Sequence, residues 1–164
     1  MPLQWSVRFK NFSIWRGRLP HWRADDVRYY VTFKHRREID EAERQLLFRA
    51  LLRPDGSKWD LLILCVLPGQ TELIFSVREG SNGRPYELSG IIEKAKSKAG
   101  RQVMKKTGER LPPFYSESYD RIVRDEVELE ERWQAIYDSP VNHELVEDAG
   151  DWDGLWVAEG QGER

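Results

Sequence analysis

The feature that most restricts the fold is the apolar run Trp59-Asp-Leu-Leu-Ile-Leu-Cys-Val-Leu67, which Pro68-Gly69 follows at once. A strand with one solvated face alternates polar and apolar residues; a run without alternation must be covered on both faces. Pro-Gly is a turn signal, and residues 73–77 (Leu-Ile-Phe-Ser-Val) read as the returning strand. Residues 59–77 therefore predict a hairpin whose first strand lies inside the protein.

The flanking sequence supplies the partners. Residues 28–33 (Arg-Tyr-Tyr-Val-Thr-Phe) are aromatic and β-branched and predict another strand. Residues 40–53 place Ala42, Leu46, Leu47, Ala50 and Leu51 at helical spacing, stopped by Pro54-Asp-Gly56. Residues 87–107 predict a long helix, and Gly108 suits its C-terminal cap. Residues 114–123 predict a fourth strand region, and residues 125–137 a helix ended by Ser139-Pro140. The order is strand, helix, strand, strand, helix, strand, helix. This is an α+β, ferredoxin-like split βαβ layout: a four-stranded antiparallel sheet with helices on one face and an extra C-terminal helix. The expected organisation is a basic, aromatic N-terminal segment over 1–23, the folded domain over 24–157 and a polar tail over 158–164. The layout alone decides no function.

Charge narrows the possibilities. The formal net charge is −2, but it is unevenly spread. Arginines and lysines crowd residues 8–37 and 84–110, whereas after Arg124 thirteen acidic side chains face only Arg132 and Arg164. A basic part suited to a polyanion and an acidic end suited to a protein partner follow from that pattern. One cysteine, Cys65, excludes an internal disulfide and points to the cytoplasm; it lies in the apolar run and reads as a core residue. No stretch is long and apolar enough to suggest a membrane span, and no signal peptide is expected. His21, His35 and His143 are too isolated to form a zinc pattern.

Three segments carry a resemblance. Arg18-Leu-Pro-His-Trp-Arg23 with Tyr30-Val-Thr-Phe33, the hairpin Cys65-Val-Leu-Pro-Gly-Gln-Thr-Glu-Leu-Ile74, and Tyr119-Asp-Arg-Ile-Val-Arg-Asp-Glu126 with Ile136-Tyr-Asp-Ser-Pro-Val141 and Leu145-Val146 occur in the order and spacing of a known pattern. In these blocks the chain resembles the REP-associated tyrosine transposases, a bacterial family of HUH enzymes that cut and join single-stranded DNA. The resemblance implies two strand histidines that hold magnesium or manganese. It also implies a helical tyrosine nucleophile, with an asparagine one turn later completing the metal site. It further implies a metal-polarised phosphate and a covalent phosphotyrosine intermediate.

The matching positions here depart from that machinery. Gln70 and Glu72 stand for the histidines, Ala135 for the tyrosine and Ser139 for the asparagine. Alanine has no nucleophilic atom. Gln70, Glu72 and Ser139 could offer oxygen ligands to a hard cation, but no metal or other cofactor is expected. Tyr137, the substitute nucleophile that comes to mind, lies about 200° around the helix from residue 135 and reads as core or interface.

The features suited to DNA survive better. Lys94, Lys98, Arg101 and Lys105 fall near one face of the long helix, which also carries Lys96 and Lys106. Upstream, Arg16, Arg18, Trp22 and Arg23, with Trp15, interleave cations with stacking rings as single-strand binders do. The sequence therefore predicts a protein that holds hairpin or single-stranded DNA without cleaving it. Two alternatives stand beside this: an active metal-dependent nickase with a rearranged site, and a protein-interaction module whose acidic C-terminal region docks a partner.

Overall fold

The computed structural model describes residues 27–158. Five strands, all antiparallel, form one sheet: β1 (Arg28–Lys34), β2 (Trp59–Val66), β3 (Gln70–Val77), β4 (Tyr119–Val123) and β5 (Leu155–Val157), in the order β4-β1-β3-β2-β5. Three α-helices accompany them among the described residues: α1 (Glu41–Leu52), α2 (Leu88–Thr107) and α3 (Glu126–Asn142). The first four strands have the ferredoxin-like order, so the α+β expectation holds with one strand more than the sequence suggested.

The helices divide between the two faces. Alternation along β3 sends Leu73 and Phe75 toward α1 and α2, where Leu47, Leu51, Ile92, Ala95 and Ala99 complete one core. Ile74 faces the other way and joins Tyr30, Ile63, Cys65, Val123, Leu129 and Ile136 in a second core beneath α3. The unbroken apolar character of β2 serves both: Leu64 and Val66 face one core, Ile63 and Cys65 the other. A register shift between Leu61 and Ile63 lets Leu62 join the α3 side as well. The helix appended to the split βαβ unit thus covers the sheet's second face.

Local sequence fixes the ends. Asp40 accepts from the Glu43 backbone N–H at 2.9 Å, and the Glu43 carboxylate accepts from the Asp40 N–H at 2.9 Å, a capping box that starts α1. Arg37 closes over it with bonds of 2.9 and 2.8 Å to Glu43 and 2.9 and 2.7 Å to Glu109, tying α1 to the chain beyond α2. Gly108, at φ 80°, ends α2 in the left-handed conformation.

Three boundaries differ from the sequence reading. Pro140 lies inside α3 rather than ending it: a proline forfeits one helical hydrogen bond, and the last turn continues to Asn142. The expected strand over 114–123 shortens to Tyr119–Val123, with Phe114 making only an isolated bridge to His35. The carbonyls of Tyr115, Ser116 and Glu117 turn instead to the Lys96 ammonium, at 2.9, 3.3 and 3.2 Å. Strand β5 was not legible in the three residues Leu-Trp-Val. It is held by Gly154, where any Cβ would collide with the Val66 carbonyl, and by the Trp152 indole, which donates to that carbonyl at 2.9 Å. No helix among the described residues is long and apolar enough to cross a membrane.

Candidate functional site

Strand alternation and helical spacing bring three of the singled-out residues together. Gln70 and Glu72 share the face of β3 toward α3, and Ser139 reaches the same place from the last turns of α3. The Ser139 hydroxyl lies 2.9 Å from Glu72 Oε1 and 3.1 Å from the Ala135 carbonyl, and Gln70 Nε2 donates to Glu72 Oε2 at 3.1 Å. His143 Nδ1 donates to the Ser139 carbonyl at 2.9 Å and caps α3. Arg132 stacks over the Tyr30 ring at 4.5 Å to its centroid.

Electrostatics follow from this burial. Desolvation raises the Glu72 carboxyl above the ordinary carboxylate range, against the pull of Ser139, His143, Gln70 and Arg132. Burial, then the charge of Glu72, pushes the Tyr30 phenol up, opposed by Arg132. Cys65, directly across the sheet from Glu72, has its thiol pushed up by burial first and by Glu72 second. It is an inert core thiol.

This donor set does not fit the divalent ion that the resemblance implies. One carboxylate, one amide and one hydroxyl contain no imidazole. Both Glu72 oxygens already accept hydrogen bonds within the cluster. No group of three or more His, Cys, Asp or Glu side chains among the described residues offers another centre. Ala135 is exposed at the position of the nucleophile. Tyr137 stacks on Trp133 with centroids 5.1 Å apart and packs against the core beneath α3.

The basic residues lie elsewhere. Helix α2 rests on the sheet face opposite α3. Lys94, Arg101 and Lys105 are exposed and Lys98 is half-buried. Lys96, outside the expected face of Lys94, Lys98, Arg101 and Lys105, lies on the buried side of α2. Its side chain is buried, its ammonium sits 4.2 Å from the Phe33 ring centroid, and it bonds Ser118 Oγ at 2.8 Å besides the three carbonyls. Burial pulls its pKa down to about 8, opposed by Glu93. The loop that covers Lys96 comes from nineteen to twenty-two residues later. Arg16, Arg18, Trp22 and Arg23 lie outside the described residues. Sequence reasoning missed Arg132 and Tyr30 at the cluster, whose pairing needs the β1–α3 packing, and Arg53, Lys58 and Tyr86 beside α2.

The arrangement has a counterpart among solved structures. The structure of a REP-associated tyrosine transposase bound to a REP hairpin superposes with a TM-score of 0.62, at 17% sequence identity, over 79% of this chain and 75% of that one. The chain has the transposase fold. A candidate transposase from Deinococcus radiodurans also matches, with a TM-score of 0.45 and 13% identity over 65% of this chain and 86% of that one. No protein-family model and no curated protein matches the sequence. Within the transposase fold, Gln70, Glu72 and Ser139 form a closed hydrogen-bonded cluster beneath α3, while Lys94, Arg101 and Lys105 lie exposed across the sheet on α2.

Proposed function

We propose that this protein is a relative of the REP-associated tyrosine transposases that binds hairpin or single-stranded DNA, through the basic face of α2, and no longer cleaves it. The observation that carries the reading is the unneutralised charge of that face. Lys94, Lys98, Arg101 and Lys105 make no ion pair among the described residues, whereas Arg37, Arg44, Arg78, Arg121 and Arg132 all do. Unpaired cations along a helix are the groups that phosphates recruit, because each contact releases condensed counterions. The likeness to a protein bound to a REP hairpin favours DNA over other polyanions. The absence of a nucleophilic atom at Ala135 favours binding without cleavage. A cytoplasmic location suits the buried free thiol. The acidic α3 side, bearing Glu131, Asp138 and Glu144, favours a protein partner there as a second reading.

Fluorescence anisotropy with hairpin, single-stranded and duplex probes tests the reading. The slope of log affinity against log salt is expected near −0.7 per phosphate contact on a single strand. Changing Lys94, Lys98 and Lys105 together to Gln is expected to lower affinity roughly ten-fold at low salt and to flatten that slope. Failure of every probe to bind, or binding indifferent to salt and to the triple change, would replace this reading with the protein-interaction one.

A further inference from the structure

The end of α2 nearer its N-terminus borders a feature that helix periodicity could not reveal. Between the end of α1, the turn after it and the start of α2 lies a groove of about 590 Å³. Its rim carries Arg53, Lys58, Lys94 and Lys98, with Glu87 as its one carboxylate. None of the four cations makes an ion pair among the described residues. The floor is apolar, formed by Ala50, Pro54, Ile91 and Ala95. Tyr86 stands at one end, 37% exposed, with the Lys58 ammonium 5.7 Å from its ring centroid. The same ring also lines a second cleft of about 820 Å³, whose cation is Arg84. The first groove is a trough: apolar below, cationic on both walls, with the Tyr86 ring where it meets the second cleft.

Each part answers to one part of a nucleotide chain. The cations match phosphates. The apolar floor and the phenol ring match the face of an unpaired base, which a duplex keeps stacked and out of reach. A simple anion would use the rim but leave the floor and ring idle; an apolar peptide would leave four cations without partners. We propose that this trough binds single-stranded nucleic acid. An unpaired base lies against Tyr86, and the neighbouring phosphates lie between Arg53 and Lys58 on one wall and Lys94 and Lys98 on the other. This rests on the DNA-binding reading above and assigns to it a site, a strand state and three residues, Arg53, Lys58 and Tyr86, outside the α2 face.

The test uses the full chain, a labelled oligothymidylate of about twelve residues, which forms no duplex, and a blunt duplex of mixed sequence. Three variants are compared: Arg53→Gln with Lys58→Gln, Tyr86→Leu, and Lys105→Gln with Lys106→Gln. The last pair lies on α2 about 16 Å beyond Lys94 along the axis and outside the trough. Circular dichroism establishes that each is folded. Tyr86→Leu is expected to weaken oligothymidylate binding at least about five-fold and to leave duplex binding within two-fold. The Arg53/Lys58 pair is expected to reduce the single-strand salt slope by about 1.4 for two lost contacts. If both trough variants bind oligothymidylate as the wild type does while Lys105/Lys106 substitution weakens it, DNA binding stands and the trough assignment is wrong. Equal loss on both probes in Tyr86→Leu also overturns it. If the wild type binds neither probe at low salt, the DNA-binding reading fails and the trough with it.

Discussion

His35 makes the fold acid-sensitive, and the structure sets the size of the effect. The ring is buried at the end of β1, with Nδ1 2.8 Å from the Pro68 carbonyl and Nε2 2.8 Å from Thr71 Oγ1, so it pins the β2–β3 turn to β1. Nδ1 donates to the carbonyl and Nε2 accepts from the threonine hydroxyl, so the neutral ring satisfies both contacts. Burial drives its pKa from 6.5 down to about 4; the Pro68 bond opposes this and the charge of Lys96 adds to it. A depressed folded-state pKa means that the unfolded chain takes up the proton first. Stability is therefore intact above about pH 6.5 and is lost as pH falls toward 4. At 1.36 kcal/mol per unit of pKa difference the full loss is about 3 kcal/mol, and roughly 2.5 kcal/mol of it is spent by pH 4.5. His35→Gln keeps a polar group of similar reach and removes the titration. Urea denaturation followed by tryptophan fluorescence, at about pH 7.5 and pH 4.5, measures both proteins. Wild type is expected to lose roughly 2.5 kcal/mol more than the variant over that interval, because every other titrating group is common to the two. Parallel pH dependences would refute the reasoning, as would an NMR titration placing the His35 midpoint above 6.

The cluster of Gln70, Glu72 and Ser139 yields two further expectations. Calorimetric titration with Mn²⁺ should show no stoichiometric binding, and a tight site abolished by Glu72→Ala would contradict the hydrogen-bonded reading. Incubation with end-labelled hairpin DNA and Mg²⁺ or Mn²⁺ should give no covalent protein–DNA adduct on a denaturing gel; an adduct lost in Tyr137→Phe would make the protein an active nickase. Gly154→Ala should destabilise the fold by about 1–3 kcal/mol, since strand β5 must move off the Val66 carbonyl to admit the methyl group, and thermal denaturation within 1 °C of wild type would count against that contact.

The two-sided burial of β2 was legible because nothing but a strand inside two layers needs Leu-Leu-Ile-Leu-Cys-Val. The convergence of Gln70, Glu72 and Ser139 was legible only through resemblance: strand alternation pairs residues 70 and 72, but no local rule brings residue 139 across from another element. Lys96 shows the opposite failure. Its spacing from Ile92 and Ala99 puts it on the buried side of α2, yet no local rule announces that residues 115–118 return to bond its ammonium as a buried latch. The trough failed to appear for the same reason. Arg53 and Lys58 read as charges near a turn, and Tyr86 as a loop aromatic, until the α1–α2 packing sets them along one groove.

The sheet separates the cluster beneath α3 from the basic helix α2. With a side-chain period of two, Gln70 and Glu72 point toward α3 while Leu73 and Phe75 point toward α1 and α2. Substitutions beneath α3 therefore repack one core and leave the floor of the other in place. Charge has followed the same division. The α3 side gathers carboxylates, which repel a phosphodiester approaching Ala135, while Lys94, Arg101 and Lys105 of α2 and Arg53 after α1 are exposed and make no ion pair among the described residues. The exposed cations of α2 and the cluster of Gln70, Glu72 and Ser139 therefore stand on opposite faces of one sheet, so substitutions in one can be tested without disturbing the other.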